Sequence, residues 1–239
     1  MIVKTQAIVI KAIKFQDTSL IVKCFTKESG IKSYLLKGIL SKKKSPKLNK
    51  AQFQLGSLLE LITKNSTNNN LNYINEASVY SQSQNTQTNV YKSSIVLFMA
   101  EVLNSVLREE EQNVLLYHFL ENCFIQLNEL ERFGNFHIAF LLELSSHLGF
   151  YPQIKDENAL SFDLTEGIFT NNKPRINYLI NEELDLFKQV IGIKFDTNIS
   201  LSKKQKQLLL KILIDYFCLH LPEFKKPKSL YVFQTIFSS

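Results

Sequence analysis

The hydrophobic pattern of the chain changes period once, close to residue 80. Before that point apolar and polar residues alternate over short runs, at 5–13, 19–25, 31–36, 58–64 and 71–79. A period of two, enriched in Val, Ile and aromatic residues, predicts half-buried strands. Thr26-Lys27-Glu28-Ser29-Gly30 supplies a five-residue hairpin connection closing on glycine, and the Asn-rich run 65–70 supplies a polar turn. Five short strands in so few residues predict a small closed barrel, for which the OB-fold is the commonest solution. Beyond residue 80 the period becomes about 3.6. Apolar stripes predict helices over 90–108, 112–130 and 135–148, the last stopped by Gly149 and Pro152. A short strand-like interruption follows at 160–170. Two more helices follow at 182–191 and 202–221, with Ser202 as the cap of the second. The apolar stretch 230–237 is expected to pack on the helical bundle. Residues 81–89, rich in Ser, Gln, Asn and Thr, read as a linker or a frayed helix start. The expected fold class is therefore α+β: an OB-fold barrel over 1–80, then an all-helical domain over 81–239 carrying a small strand-like insertion.

Charge changes this picture because it is concentrated at one end. Residues 1–80 hold thirteen lysines against four acidic residues, a net of +9, whereas 81–239 carry a net of −3. A basic module on a near-neutral scaffold points to a polyanion partner, although charge alone is equally served by a solvated lysine-rich surface. The densest run is 41–50, with Lys42, Lys43, Lys44, Lys47 and Lys50, polar and broken by Pro46, as expected of an exposed loop. Each ammonium can neutralise a phosphate and release a counterion. With Lys11, Lys14, Lys32 and Lys37 these lysines form the candidate nucleic-acid-binding set. Tyr34 is the candidate stacking aromatic, since its hydroxyl tolerates water, while Phe25 is assigned to the core.

Other chemistries find little support. Seven scattered glycines build no phosphate-cradling loop, and the S-x-x-K spacings at Ser29–Lys32 and Ser41–Lys44 fall in a turn and a charged loop. Glu143 and His147 lie one helical turn apart without a third metal ligand in view, the pattern of a structural pair. Cys24, Cys123 and Cys218 are isolated in apolar runs, as buried free thiols of a reducing compartment are. The first residues lack the charged lead and apolar stretch of a signal peptide, and the longest apolar blocks are too short to span a bilayer.

Three blocks, Asp17-Thr18-Ser19-Leu20, Phe25-Thr26-Lys27-Glu28-Ser29-Gly30 and Lys37-Gly38, together with Leu148-Gly149-Phe150-Tyr151-Pro152 and Leu107-Arg108-Glu109-Glu110-Glu111, resemble the bacterial DNA repair protein RecO family. The resemblance implies an N-terminal OB-fold, a helical C-terminal domain and a non-catalytic recombination mediator of the cytoplasm, associated with the nucleoid. Such a mediator binds single- and double-stranded DNA, anneals complementary strands and needs no cofactor. Its implied partners are RecR, the acidic C-terminal tail of single-stranded-DNA-binding protein, and RecA indirectly. Lys203, Lys204 and Lys206 are candidates for the tail. The chain departs from the family pattern twice. Many members bind zinc through four cysteines just after the L-G-F-x-P block, whereas residues 153–169 contain none, so no metal and a small hairpin are expected there. Leu40 stands where the family tends to carry arginine, its charge moved to Lys42, Lys43 and Lys44. An adaptor for acidic peptides, a metal-dependent nuclease and an OB-fold RNA binder are the rival readings.

Overall fold

The computed structural model describes residues 2–41, 48–64, 72–81, 84–107, 112–154, 156, 158–172 and 174–231. The chain forms two compact units, Met1–Glu129 with Pro227–Ser229, and Leu130–Lys226 with Leu230–Ser239. Secondary structure switches from strand to helix after residue 81, whereas packing divides the chain after Glu129, so three of the helices belong with the strands.

The first unit contains β1 (Ile2–Phe15), β2 (Ser19–Thr26), β3 (Gly30–Leu36), β4 (Leu58–Lys64) and β5 (Tyr73–Ser81), in the sheet order β3-β2-β1-β4-β5. A parallel bridge between Tyr34 and Asn72 joins the two end strands, with Leu35 N–H donating to the Asn72 carbonyl at 2.9 Å and Asn72 N–H to the Ser33 carbonyl at 3.2 Å. That closure makes the five-stranded sheet an OB-fold barrel. The alternation seen in the sequence fills it: Ala7, Val9, Leu20, Val22, Cys24, Leu36, Leu59 and Leu61 point inward. A bulge between Val9 and Lys11 shifts the register of β1. One extra residue moves the inward set from Ala7 and Val9 to Ala12, so Lys11 faces solvent. A 3₁₀ turn at Lys50–Phe53, capped by the Asn49 side chain, brings Phe53 into the barrel core.

Helices α1 (Gln84–Thr88), α2 (Val90–Val106) and α3 (Val114–Glu129) complete this unit. Ile8, Phe25 and Ile31 sit side by side across three strands on the outer face, yet all are buried. Helices cover them, with the Phe25 ring centroid 6.0 Å from that of Tyr117 on α3. The Tyr80 hydroxyl on β5 donates to Glu121 on α3 and lies 3.1 Å from the Tyr117 hydroxyl. Gly56 leads into β4 beneath the same helices with φ +74°, and a Cβ there would lie 2.8 Å from the Phe124 ring and 3.1 Å from Val96. Gly56→Ala should combine a left-handed backbone cost with overpacking, lowering stability by about 2 kcal/mol. A urea titration monitored by circular dichroism checks this.

The second unit holds α4 (Phe136–His147), β6 (Ser161–Asp163), β7 (Ile168–Thr170), β8 (Tyr178–Leu179), α5 (Asn181–Val190) and α6 (Lys203–His220). Helix α4 is buried on nearly all sides, as its uninterrupted apolar run predicts. It ends in a Schellman motif: Phe150 N–H donates to the Ser145 carbonyl at 2.9 Å and Gly149 N–H to that of Ser146 at 3.1 Å. Gly149 adopts φ +86°, so this conformation explains its place in the Leu148–Pro152 block. Ser202 caps α6 in a reciprocal box with Gln205, as expected. The expected hairpin is the pair β6–β7, joined by β8 on the other side of β6. Most of the expected C-terminal packing stretch, residues 232–237, lies outside the described residues.

Candidate nucleic-acid interface

The register of β1 and β2 sets Lys11 directly opposite Lys23, with Ser33 of β3 as the next neighbour of Lys23. Opposed residues on one face have Cβ atoms about 5 Å apart, and like charges there are mutually destabilising. The register thus sets two lysines opposite one another on the outer surface of the barrel. Lys23 was not among the candidates; its alternation with Val22 and Cys24 could have identified it. Lys14 and Lys32 occupy inward-side positions at opposite ends of the barrel, in the rows of Leu20 and Cys24 respectively. Four residues separate those rows along β2, about 13 Å. Lys37 follows β3, and its Nζ lies 5.3 Å above the centroid of the Tyr73 ring. Lys50 is exposed on the 3₁₀ turn. Lys42, Lys43, Lys44 and Lys47 lie outside the described residues, as does the Arg108–Glu111 junction.

Tyr34 requires correction. It is 1% exposed inside the barrel, where burial first, then the neighbouring Cys24, raises its hydroxyl pKa against a lowering hydrogen bond from Thr63. A side chain on the inward alternation of β3 cannot offer its face to a base. Tyr73, 40% exposed beneath Lys37, is the aromatic available on that side of the barrel. It lies in the expected strand 71–79 but was not among the candidate aromatics. Phe25 is buried, as assigned. The Cys24 thiol is pushed up to about 12 by burial, and Cys123 is buried too, but Cys218 is only half-buried, unlike the expectation for all three.

In the second unit, Lys203 and Lys204 are exposed at the start of α6, whose first turn holds no acidic residue. Lys206 lines a cavity of about 230 Å³ with Arg132, Asn135, Asp196 and Ile199. Asn135 Nδ2 donates to the Ile199 carbonyl at 2.8 Å, while its Oδ1 is buried with no hydrogen-bond partner among the described residues. Two residues after Asn135, His137 is buried and depressed from 6.5 to about 3, first by burial and then by the Lys206 ammonium. The unfolded chain takes up this proton below about pH 6.5 and the folded chain refuses it. The resulting stability is complete above pH 6.5 and is lost as pH falls toward 3. His137→Gln should therefore flatten acid destabilisation by on the order of 2 kcal/mol between pH 6.5 and 4.5, read from chemical denaturation of both proteins at each pH. Glu143 is engaged by Lys194 in an ion pair, and His147 is shifted down by partial burial, partly offset by Glu143.

A closed five-stranded barrel followed by a helical region is the architecture of OB-fold proteins with an appended helical domain, and its outer face is basic where β1 meets β2. The family model described as recombination protein O N-terminal matches residues 1–82, and the recombination protein O C-terminal model matches residues 87–230. The chain belongs to the RecO family of DNA repair and recombination proteins. It is 41% identical over 239 residues to the DNA repair protein RecO of Flavobacterium psychrophilum, covering 99% of both chains. It is 39% identical over 238 residues to that of Flavobacterium johnsoniae, again covering 99% of both. Identity to that of Christiangramia forsetii is 35% over 239 residues, 99% of this chain and 100% of the relative. No helix among the described residues is long and apolar enough to cross a membrane.

Proposed function

We propose that this chain is a non-catalytic recombination mediator whose barrel grips the phosphates of single- and double-stranded DNA and anneals complementary strands, helping RecR to load RecA. The observation that carries the DNA-binding reading is the opposed pair Lys11–Lys23 on the outer face of a segment with net charge +9. A phosphate between two ammonium groups relieves their repulsion and releases counterions, so affinity arises without base recognition. Screening the charge of two strands on one surface lowers the barrier to their pairing. Lys37 and Lys50, and the lysines at 42–44 and 47, extend the same attraction, while Lys14 and Lys32 serve different stretches of backbone. No nucleotide hydrolysis or cofactor enters this scheme, which operates in the cytoplasm at the nucleoid.

The test is annealing of complementary oligonucleotides by the purified protein, with and without single-stranded-DNA-binding protein. Acceleration that fades as salt rises is expected. An unaccelerated rate, or binding that prefers RNA to DNA, would reject the reading.

The cavity beside Lys206 favours a second partner contact, with the acidic tail of single-stranded-DNA-binding protein. Arg132 and Lys206 suit carboxylates and outnumber the one acidic side chain of the lining, Asp196. Lys203 and Lys204 add charge at a helix end already positive through its dipole.

A further inference from the structure

Above the lysine pair the outer face of the barrel is apolar. Ile13 of β1 is directly opposite Ile21 of β2, which is directly opposite Leu35 of β3. The parallel Tyr34–Asn72 bridge then places Tyr73 of β5 beside Leu35 on the same outer side. Ile13 is 45% exposed and Tyr73 40% exposed, with Ile21 and Leu35 half-buried. Unlike Ile8, Phe25 and Ile31 on this face, these side chains remain open to solvent. Four adjacent strands span about 14 Å, and four-stranded platforms of that width hold two or three unstacked bases. Lys11 and Lys23 flank the strip on one side, and Lys37 sits over its Tyr73 end.

We infer that the strip Ile13–Ile21–Leu35–Tyr73 docks unpaired bases and makes the barrel favour single-stranded over double-stranded DNA. The charge around it selects this occupant: an apolar band bordered by ammonium groups complements a polyanion that carries flat apolar groups. A duplex presents the same phosphates but keeps its base faces stacked inside, so it engages the lysines and leaves the strip wet. Unpaired bases bring both features together, and stacking on Tyr73 adds to burial of the aliphatic side chains. The inference rests on the DNA-binding reading above and assigns its strand preference.

The chain contains no tryptophan, so Ile13→Trp creates a single reporter at the most exposed aliphatic position of the strip. Its fluorescence should be quenched by oligothymidylate and unchanged by a hairpin duplex that binds equally well by anisotropy. Ile13→Ser combined with Tyr73→Ser should weaken single-strand affinity about tenfold or more and leave duplex affinity within about twofold. Equal quenching by both ligands, no quenching by bound oligothymidylate, or equal losses for both ligands would overturn the inference while leaving the lysine grip intact. If Lys11→Glu with Lys23→Glu leaves both affinities unchanged, the DNA-binding reading fails instead.

Discussion

Replacing Lys11 and Lys23 together by glutamate is expected to weaken DNA binding about 100-fold near 0.1 M salt, some 2.7 kcal/mol. Two phosphate contacts vanish and two carboxylates repel the backbone. The slope of log affinity against log salt should also fall by about 1.4 for single strands, at about 0.7 per contact. The single change Lys11→Glu separates this role from a structural one. It turns a like-charge pair across β1 and β2 into an opposite-charge pair, which should raise stability by about 0.2–1 kcal/mol while binding drops. A purely structural role would move both quantities in the same direction. Anisotropy titrations between 50 and 200 mM salt, beside urea unfolding of the same variants, decide the matter.

The outer-face geometry behind that result was only partly legible in the sequence. Alternation alone located the five strands, because burial of one face fixes a period of two; Phe25, assigned to the core as a strand aromatic, is buried on the outer face by helices that alternation does not show. It could not reveal the bulge at Val9–Lys11, which decides whether Lys11 faces the core or the water, since a bulge leaves no mark in composition. Tyr34 was misread for a related reason. Its hydroxyl suggested exposure, but its alternation with the outward Ser33 and Leu35 places it inside. Helix α1 was hidden in a low-complexity run because its support is distant: the Asn128 side chain accepts from Asn85 N–H at 3.1 Å and Thr86 N–H at 3.3 Å, 43 and 42 positions away. Caps, by contrast, are local. Ser202 was recognised because the box it makes with Gln205 spans three residues. The packing of α2 and α3 with the barrel rests on contacts such as Phe25–Tyr117, which join segments more than ninety residues apart.

Phe162→Ala should cost about 3–5 kcal/mol and lower the unfolding midpoint of the second unit by well over about 10 °C. Phe162 is fully buried on β6, with ring centroids of Phe169, Phe187 and Tyr216 at 4.7, 4.9 and 5.9 Å. Around this centre Tyr216 donates to the Phe150 carbonyl at 2.6 Å, and Phe150 stacks on His220 at 5.0 Å with the planes 6° apart. His220 Nε2 in turn lies 3.0 Å from the Leu164 carbonyl, tying the end of β6 to α6. Residues 153–169 contain no cysteine, so the hairpin β6–β7 draws its fixation from these rings, where a cysteine-bound ion would fix it by coordination. The two sources of stability respond differently to treatment. A chelator should leave the midpoint of the parent protein unchanged, and added zinc should not rescue the alanine variant. Phe162→Leu, which restores much of the lost volume, should recover most of the difference in calorimetry. A midpoint that fell with chelator alone would instead assign the hold on this hairpin to a metal.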